Sequence, residues 1–153
     1  MKSHAYQYIS LIIDSKPLYR LITKIGRASN IILDLEDSVG DPDNCELTKS
    51  LKRTARTNLL NLFKENPDIK VGLRINAIGS SEFKQDLVLL NKLKWVKWDF
   101  VVIPKLESSE MLTKYAMALR GTNCKGIIIC IESEKGIKNL DSILKNNTDH
   151  KIS

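Results

Sequence analysis

Six residues carry side chains able to do chemistry together: Asp34, Glu36, Asp37, Arg74, Lys105 and Glu132. The three acids close an apolar run, Ile31–Leu35, inside the stretch IILDLEDSVGDPD (31–43). Arg74 closes VGLR, Lys105 follows FVVIP, and Glu132 follows IIICI. Carboxylates of this kind hold Mg²⁺, which takes one or two acids and completes its shell with water and substrate oxygens. An arginine grips a substrate carboxylate with a planar fork of donors. Metal and arginine together bind a 2-oxo acid and stabilise an enolate.

Each residue also has a structural reading. Asp37 or Asp43 can turn or cap the chain. Arg74 can pair with Asp34 or Glu36 as a structural ion pair. Lys105 alone says little. Glu132 stands after five apolar residues, and burying a lone carboxylate is costly, which favours a functional role. Trp95 and Trp98 flank Lys97 and read as packing at a helix end, not as a stacking platform.

The elements that must position these groups follow from periodicity. Tyr8–Ile13 reads as a first strand, with Asp14–Pro17 as its exit and Pro17 at the first helical position. Leu18, Leu21, Ile22 and Ile25 space as a helix face that stops at Gly26. Ile31–Leu35 is a second strand. Leu47, Leu51, Ala55, Leu59, Leu62 and Phe63 recur at helical spacing until Asn66-Pro67. Val71–Ile75 is a third strand, and a serine in Gly79-Ser80-Ser81 caps a helix bearing Phe83, Leu87, Leu90 and Trp95. Phe100–Ile103 is a fourth strand. Ser108 or Ser109 caps a helix bearing Met111, Leu112, Tyr115, Ala116 and Leu119, ended by Gly121. Ile127–Ile131 is a fifth strand, and one last helix carries Ile137, Leu140, Ile143 and Leu144.

Strand–helix alternation of this kind, without repeats or linkers, predicts an α/β domain over residues 1–153 with a parallel sheet and right-handed crossovers. Ligands of such folds sit at the C-terminal strand ends. Asp34, Glu36, Arg74, Lys105 and Glu132 are therefore expected at one sheet edge. Two architectures compete: a five-unit doubly wound sheet, and the first part of a (β/α)₈ TIM barrel, which needs about 250 residues in full.

Composition narrows the class. With 42% hydrophobic and 27% charged residues among 153, the chain is a soluble globular protein with a real core. The net charge of +6 admits nucleic acid, an anionic surface or a phosphorylated small molecule. Lys49, Lys52, Arg53 and Arg56 share one helix and read as its solvated face. No nucleic-acid motif accompanies them, so no nucleic acid is expected. Cys45, Cys124 and Cys130 lack metal-ligand spacing, and Cys130 reads as buried packing. Reduced thiols, the short apolar run Ile9–Ile13 and the lack of a membrane-length stretch lead to a cytoplasmic expectation. His4 and His150 lie at the chain ends and are poor candidate bases. Asn146–Ser153 is a polar tail, and its Asn146-Asn147-Thr148 sequon is taken as chance.

Four segments in order, LDLEDSV (33–39), GLRINAIGS (72–80), VVIPKLESSEML (101–112) and IIICIESEKGI (127–137), resemble the citrate lyase beta subunit. They place the chain beside the HpcH/HpaI aldolase superfamily with its malyl-CoA and citramalyl-CoA lyases. The resemblance implies a TIM barrel of the phosphoenolpyruvate-binding kind. It also implies Mg²⁺-dependent carbon–carbon lyase chemistry on a 3-hydroxy acyl thioester carried by CoA or an acyl-carrier protein. By the same resemblance Arg74 binds the substrate carboxylate, Glu132 binds Mg²⁺, and Glu36 and Asp37 support the metal-water and arginine network; Lys105, at the fourth strand end, is read as a second substrate-binding residue.

The chain departs from the family pattern in places. Ile13-Asp14 stand where Pro-Gly is usual, and Glu132 is followed by Ser133 instead of threonine. A later metal-binding aspartate has no counterpart, because the sequence stops after the fifth unit. A shortened barrel with weak activity and a tendency to form a homo-oligomer or to pair with a partner chain is the expectation. A non-catalytic half-barrel binding a partner chain or a CoA-like anion is the alternative.

Overall fold

The parallel pairing of β1 (Tyr6–Ser10) with β2 (Asn30–Asp34) starts at Tyr6↔Asn30 and ends at Ser10↔Asp34. These strands belong to a computed structural model that describes residues 5–26 and 30–146. His4, His150 and most of the expected polar tail, with its glycosylation sequon beyond Asn146, lie outside the described residues. The chain has an α/β fold with five parallel strands, and it divides into two compact units, Met1–Arg74 and Ile75–Ser153.

In the first unit β1 begins earlier than the apolar run suggests and ends before it. Leu11 is buried, but it lies in a loop. The carbonyls of Leu11 and Ile13 are taken by the Asn58 side-chain amide at 2.9 and 3.1 Å, not by a neighbouring strand. The run overshoots because a buried carbonyl needs a donor from anywhere, and here a helix supplies it. Helix α1 (Ser15–Ile25) buries Leu18 and Ile22, and Pro17 occupies its third position, not the first. A missing N–H costs nothing there, since the first-turn donors have no partner within the helix.

β2 is buried throughout most of its length, as a central parallel strand should be. Helix α2 (Cys45–Glu65) starts at Asn44, whose side chain accepts from the Leu47 N–H, and ends at Asn66 as the sequence predicts. It buries Ala55, Leu59, Leu62 and Phe63, while Leu47 is exposed. β3 (Gly72–Arg74) pairs with β2 in the register Ile32↔Gly72, Leu33↔Leu73, Asp34↔Arg74.

The second unit opens with Ile75, whose N–H donates to the Val102 carbonyl at 3.2 Å. Ser80 caps α3 (Ser81–Lys92), which buries Phe83, Asp86, Leu89 and Leu90. Asp86 accepts from both the backbone and the side-chain amide of Asn76, each at 2.8 Å. Trp95 lies beyond that helix and is exposed, whereas Trp98 is fully buried. β4 (Val101–Ile103) is buried and pairs with β5 (Ile127–Ile129) from Val101↔Ile127 to Ile103↔Ile129. Ser108 caps α4 (Ser109–Ala118). Its Tyr115 packs edge-on against Phe83 at 5.5 Å, and its hydroxyl accepts from the Ile78 N–H at 2.7 Å.

The single last helix expected from the sequence is two: α5 (Glu134–Lys138) and α6 (Leu140–Asn146). Asn139 interrupts them because its side-chain amide donates to the Glu107 carbonyl at 2.9 Å. Of the four apolar positions read there, Ile143 is buried, while Ile137 and Leu144 remain 65% and 49% exposed. Within each unit the strands follow chain order. That arrangement fits a sector of a barrel and fits a doubly wound sheet.

Candidate functional site

The register of β2 against β3 sets Asp34 directly beside Arg74 at the C-terminal ends of both strands. Arg74 Nε donates to Asp34 Oδ1 at 2.7 Å and Nη2 donates to Oδ2 at 2.6 Å. The third nitrogen, Nη1, lies 3.4 Å from Glu36 Oε2 and 3.4 Å from Asp37 Oδ2. The Tyr8 ring covers the guanidinium with its centroid 4.6 Å from Cζ, a favourable cation–π arrangement.

Asp34 also ties down its own turn, accepting from the Glu36 N–H at 2.9 Å and the Ser38 N–H at 3.1 Å. Burial alone would raise its pKa. Hydrogen bonds from Arg74, Ser38 and the Glu36 backbone outweigh burial and hold the carboxyl below its ordinary range. Burial works against the charge of Arg74 too, but Asp34 and then Glu36 and Asp37 raise its pKa, so it stays protonated. The structural reading of Arg74 as Asp34's partner is correct. Glu36 is buried beside it, and Asp37 is exposed.

Two polar residues of α2, one read from the sequence as solvated and one not singled out, hold the segments that follow β2 and β1. Lys52 is 8% exposed, and its Nζ donates to the carbonyls of Leu35 at 2.9 Å and Glu36 at 3.0 Å. Its assignment to a solvated helix face is therefore corrected. A signal existed: Lys52, Ala55 and Leu59 sit at i, i+3 and i+7, on one stripe of α2. Asn58 does the same for the loop after β1. α2 thus donates to carbonyls in the segments that follow two consecutive strands.

In the second unit Lys105 and Glu132 follow the C-terminal ends of β4 and β5. Lys105 is exposed and adopts φ 52°, a left-handed conformation rare for a residue with a side chain. The loop around it is anchored: Leu106 N–H donates to the Cys130 carbonyl at 3.0 Å. Glu132 is exposed, not buried as the preceding apolar run suggests, because the run leaves regular pairing after Ile129 and β5 itself is half-buried. Cys130 is likewise only half-buried. Glu107, not singled out from the sequence, accepts from Ser133 and from Lys135, whose Nζ lies 3.2 Å away, and these partners lower its pKa. Among the described residues no three His, Cys, Asp or Glu side chains converge as a ready metal centre.

The family model for HpcH/HpaI aldolase/citrate lyase matches residues 15–151. The chain belongs to this family. A citrate lyase subunit beta-like protein of Deinococcus radiodurans is 28% identical over 128 residues, covering 82% of this chain and 43% of that protein. RipC from Yersinia pestis superposes with a TM-score of 0.66 at 23% identity, over 95% of this chain and 54% of its own. Protein CitE from Mycobacterium tuberculosis, in complex with magnesium and acetoacetate, gives a TM-score of 0.64 at 24% identity, over 92% and 49%. The citrate lyase beta subunit of that organism, complexed with oxaloacetate and magnesium, gives 0.59 at 21%, over 91% and 52%. The solved structures agree with the α/β fold, and the chain spans about half the length of these family members.

Proposed function

We propose that the chain carries a carbon–carbon lyase site of the aldolase type for a 3-hydroxy acyl thioester such as citryl-, malyl- or citramalyl-CoA. Arg74 receives the substrate carboxylate, and Lys105 assists as a second cation. Glu36 and Asp37 orient the arginine and accept or return protons through water. The observation that supports this most directly is the division of labour within Arg74. Its Nε and Nη2 are committed to Asp34, while Nη1 makes longer contacts, 3.4 Å, to Glu36 and Asp37. A pinned guanidinium loses little entropy on binding, and a further donor remains for an incoming carboxylate.

Acetoacetate and oxaloacetate in the Mycobacterium tuberculosis relatives are small oxo acids bound with magnesium, which supports the same substrate class and the same ion here. Glu132, an exposed carboxylate after β5, would give Mg²⁺ one oxygen, with substrate and water completing the shell. When bound, the ion supplies Lewis-acid stabilisation of an enolate. A cytoplasmic location accompanies this reading, supported by three free cysteines.

Titration with oxalate, an enolate mimic, by calorimetry with and without Mg²⁺ tests the assignment. Arg74→Ala should abolish binding, and Glu132→Ala should abolish its Mg²⁺ dependence. Equal binding by the parent and both variants overturns it. Cleavage of malyl-CoA or citramalyl-CoA in a coupled assay tests the activity directly, and Arg74→Ala should lower its rate by about 10²–10³, the cost of one charge-stabilising contact.

A second reading, a non-catalytic half-barrel that binds another protein chain, is favoured by apolar side chains left on the second unit's surface. Met117 is 63% exposed and Ile137 65%. Light scattering at rising concentration, with Ile137→Lys as control, separates the two readings. Association abolished by that change, together with absent oxalate binding, selects the second.

A further inference from the structure

We propose that Lys52 is a positioning residue for the oxo-acid site, acting through the turn that carries Glu36 and Asp37. The proposal rests on the functional reading of Arg74 given above. Lys52 is a buried cation near the middle of a helix, a place where an amine is costly unless it is used. Its ammonium donates to two carbonyls, Leu35 O at 2.9 Å and Glu36 O at 3.0 Å. These are the consecutive peptide groups between the strand end at Asp34 and the acid at Asp37.

The turn is held from both sides. On one side the Asp34 carboxylate receives the N–H groups of Glu36 and Ser38. On the other, the ammonium of Lys52 draws the Leu35 and Glu36 carbonyls toward α2. A peptide plane fixed at its N–H and at its carbonyl cannot rotate. The direction in which the Glu36 side chain leaves the backbone is then fixed as well. That side chain lies 3.4 Å from Arg74 Nη1, the donor assigned to the substrate. Leu35 adds a second link, since its N–H donates to the Arg74 carbonyl at 3.0 Å. Lys52 therefore governs Arg74 through both the backbone and the Glu36 carboxylate without touching the ligand itself.

Charge balance points the same way. Asp34, Glu36 and Asp37 bring three negative charges to this corner, and Arg74 returns one positive charge. An oxo acid adds another negative charge. The ammonium of Lys52 under the turn offsets part of this excess, and a neutral replacement leaves the corner more repulsive to an anion.

The test uses the full chain and the variants Lys52→Met, Lys52→Gln and Lys52→Arg, with Arg74→Ala as reference. Oxalate affinity in the presence of Mg²⁺ should fall by about tenfold or more in Lys52→Met, the scale of one charged hydrogen bond. Lys52→Arg should recover part of it, and Lys52→Gln, which can still donate to a carbonyl, should lie between. The Arg74 Nε–H resonance in ¹⁵N spectra, sharp and protected in the parent through its bond to Asp34, should broaden or exchange faster in Lys52→Met. Simple loss of packing would not move that resonance while leaving the far-ultraviolet spectrum native. If Lys52→Met does not fold, the Lys > Arg > Gln order carries the test. Parent-like affinity across the folded variants, with binding lost in Arg74→Ala, overturns the role of Lys52 and leaves Arg74 standing. Parent-like binding in Arg74→Ala overturns the underlying site instead.

Discussion

Arg74 and Asp34, neighbours across β3 and β2, are joined by two hydrogen bonds of 2.7 and 2.6 Å between a guanidinium and a fully buried carboxylate. The pair makes the corner at Asp34–Val39 a single unit, because the same carboxylate holds the Glu36 and Ser38 N–H groups. Its chemistry is that of a brace, and the substrate role proposed for Arg74 requires the brace to be intact.

Asp34→Asn should therefore cost stability. Breaking a buried ion pair by removing one partner costs about 3–5 kcal/mol. The loss should depend on pH with a definite sign. Against the cost of burial, the bonds from Arg74, Ser38 and the Glu36 backbone hold the folded Asp34 carboxyl below its ordinary range, so its contribution is complete above the ordinary carboxyl pKa and is lost as pH falls through the folded one. Urea unfolding of parent and variant should show the full gap at neutral pH and a shrinking gap in the acid range below about pH 4. A gap that stays constant into strong acid contradicts the assignment.

Arg74→Lys should behave almost as badly as Arg74→Ala in oxalate binding. A lysine is a point charge and cannot span both oxygens of Asp34 while keeping a donor for the ligand. Stability should fall by about 1.5–3 kcal/mol, the range for hydrogen bonds to charged groups. Recovery of parent affinity by lysine would show that only the charge matters.

Glu132→Gln separates metal chemistry from folding. The side chain is exposed, so thermal stability should change by no more than about 0.5 kcal/mol. The enhancement of oxalate binding by Mg²⁺ should disappear. An unchanged Mg²⁺ response, measured by calorimetry at matched ionic strength, removes Glu132 from the metal site.

Gly136→Ala sets two effects against each other. Alanine gains up to about 1 kcal/mol over glycine as a helix residue. An added Cβ would lie 2.6 Å from the Leu106 carbonyl oxygen and 2.9 Å from Ile131 Cγ2. Overpacking of that kind costs about 1–3 kcal/mol, so the steric effect should win. A melting temperature lowered by a few degrees is expected, about 2–4 °C per kcal/mol at this chain length. A stabilised variant would mean that the loop bearing Lys105 yields freely.

The sequence by itself determined the class of fold, because strand and helix periodicities are local and each apolar run had to find a core. It also placed the caps to within a residue: Asn66 closes α2 as read, and of the adjacent serines it offered, the structure uses Ser80 for α3 and Ser108 for α4. The family was legible for the same reason, since the acid turn, the arginine and the later motifs are contiguous strings. Helix ends and strand ends set by tertiary partners were not. Ile12 belongs to an apolar run yet is 47% exposed, and Asn139 splits a helix because Glu107 offers it a carbonyl from 32 residues away.

Only the tertiary structure decided which charges are structural. Lys52 and Arg53 are adjacent in sequence and identical in formal charge, yet Lys52 is buried and Arg53 is exposed. Rotation of about 100° per residue around the helix puts one against the loop carbonyls and the other in water. Asp34, Glu36 and Asp37 look alike in the string, but register pairs Asp34 with Arg74 and leaves Asp37 at the surface. Burial makes an unpaired charge costly, so the partner across the strand, not the residue type, fixes what each acid can do.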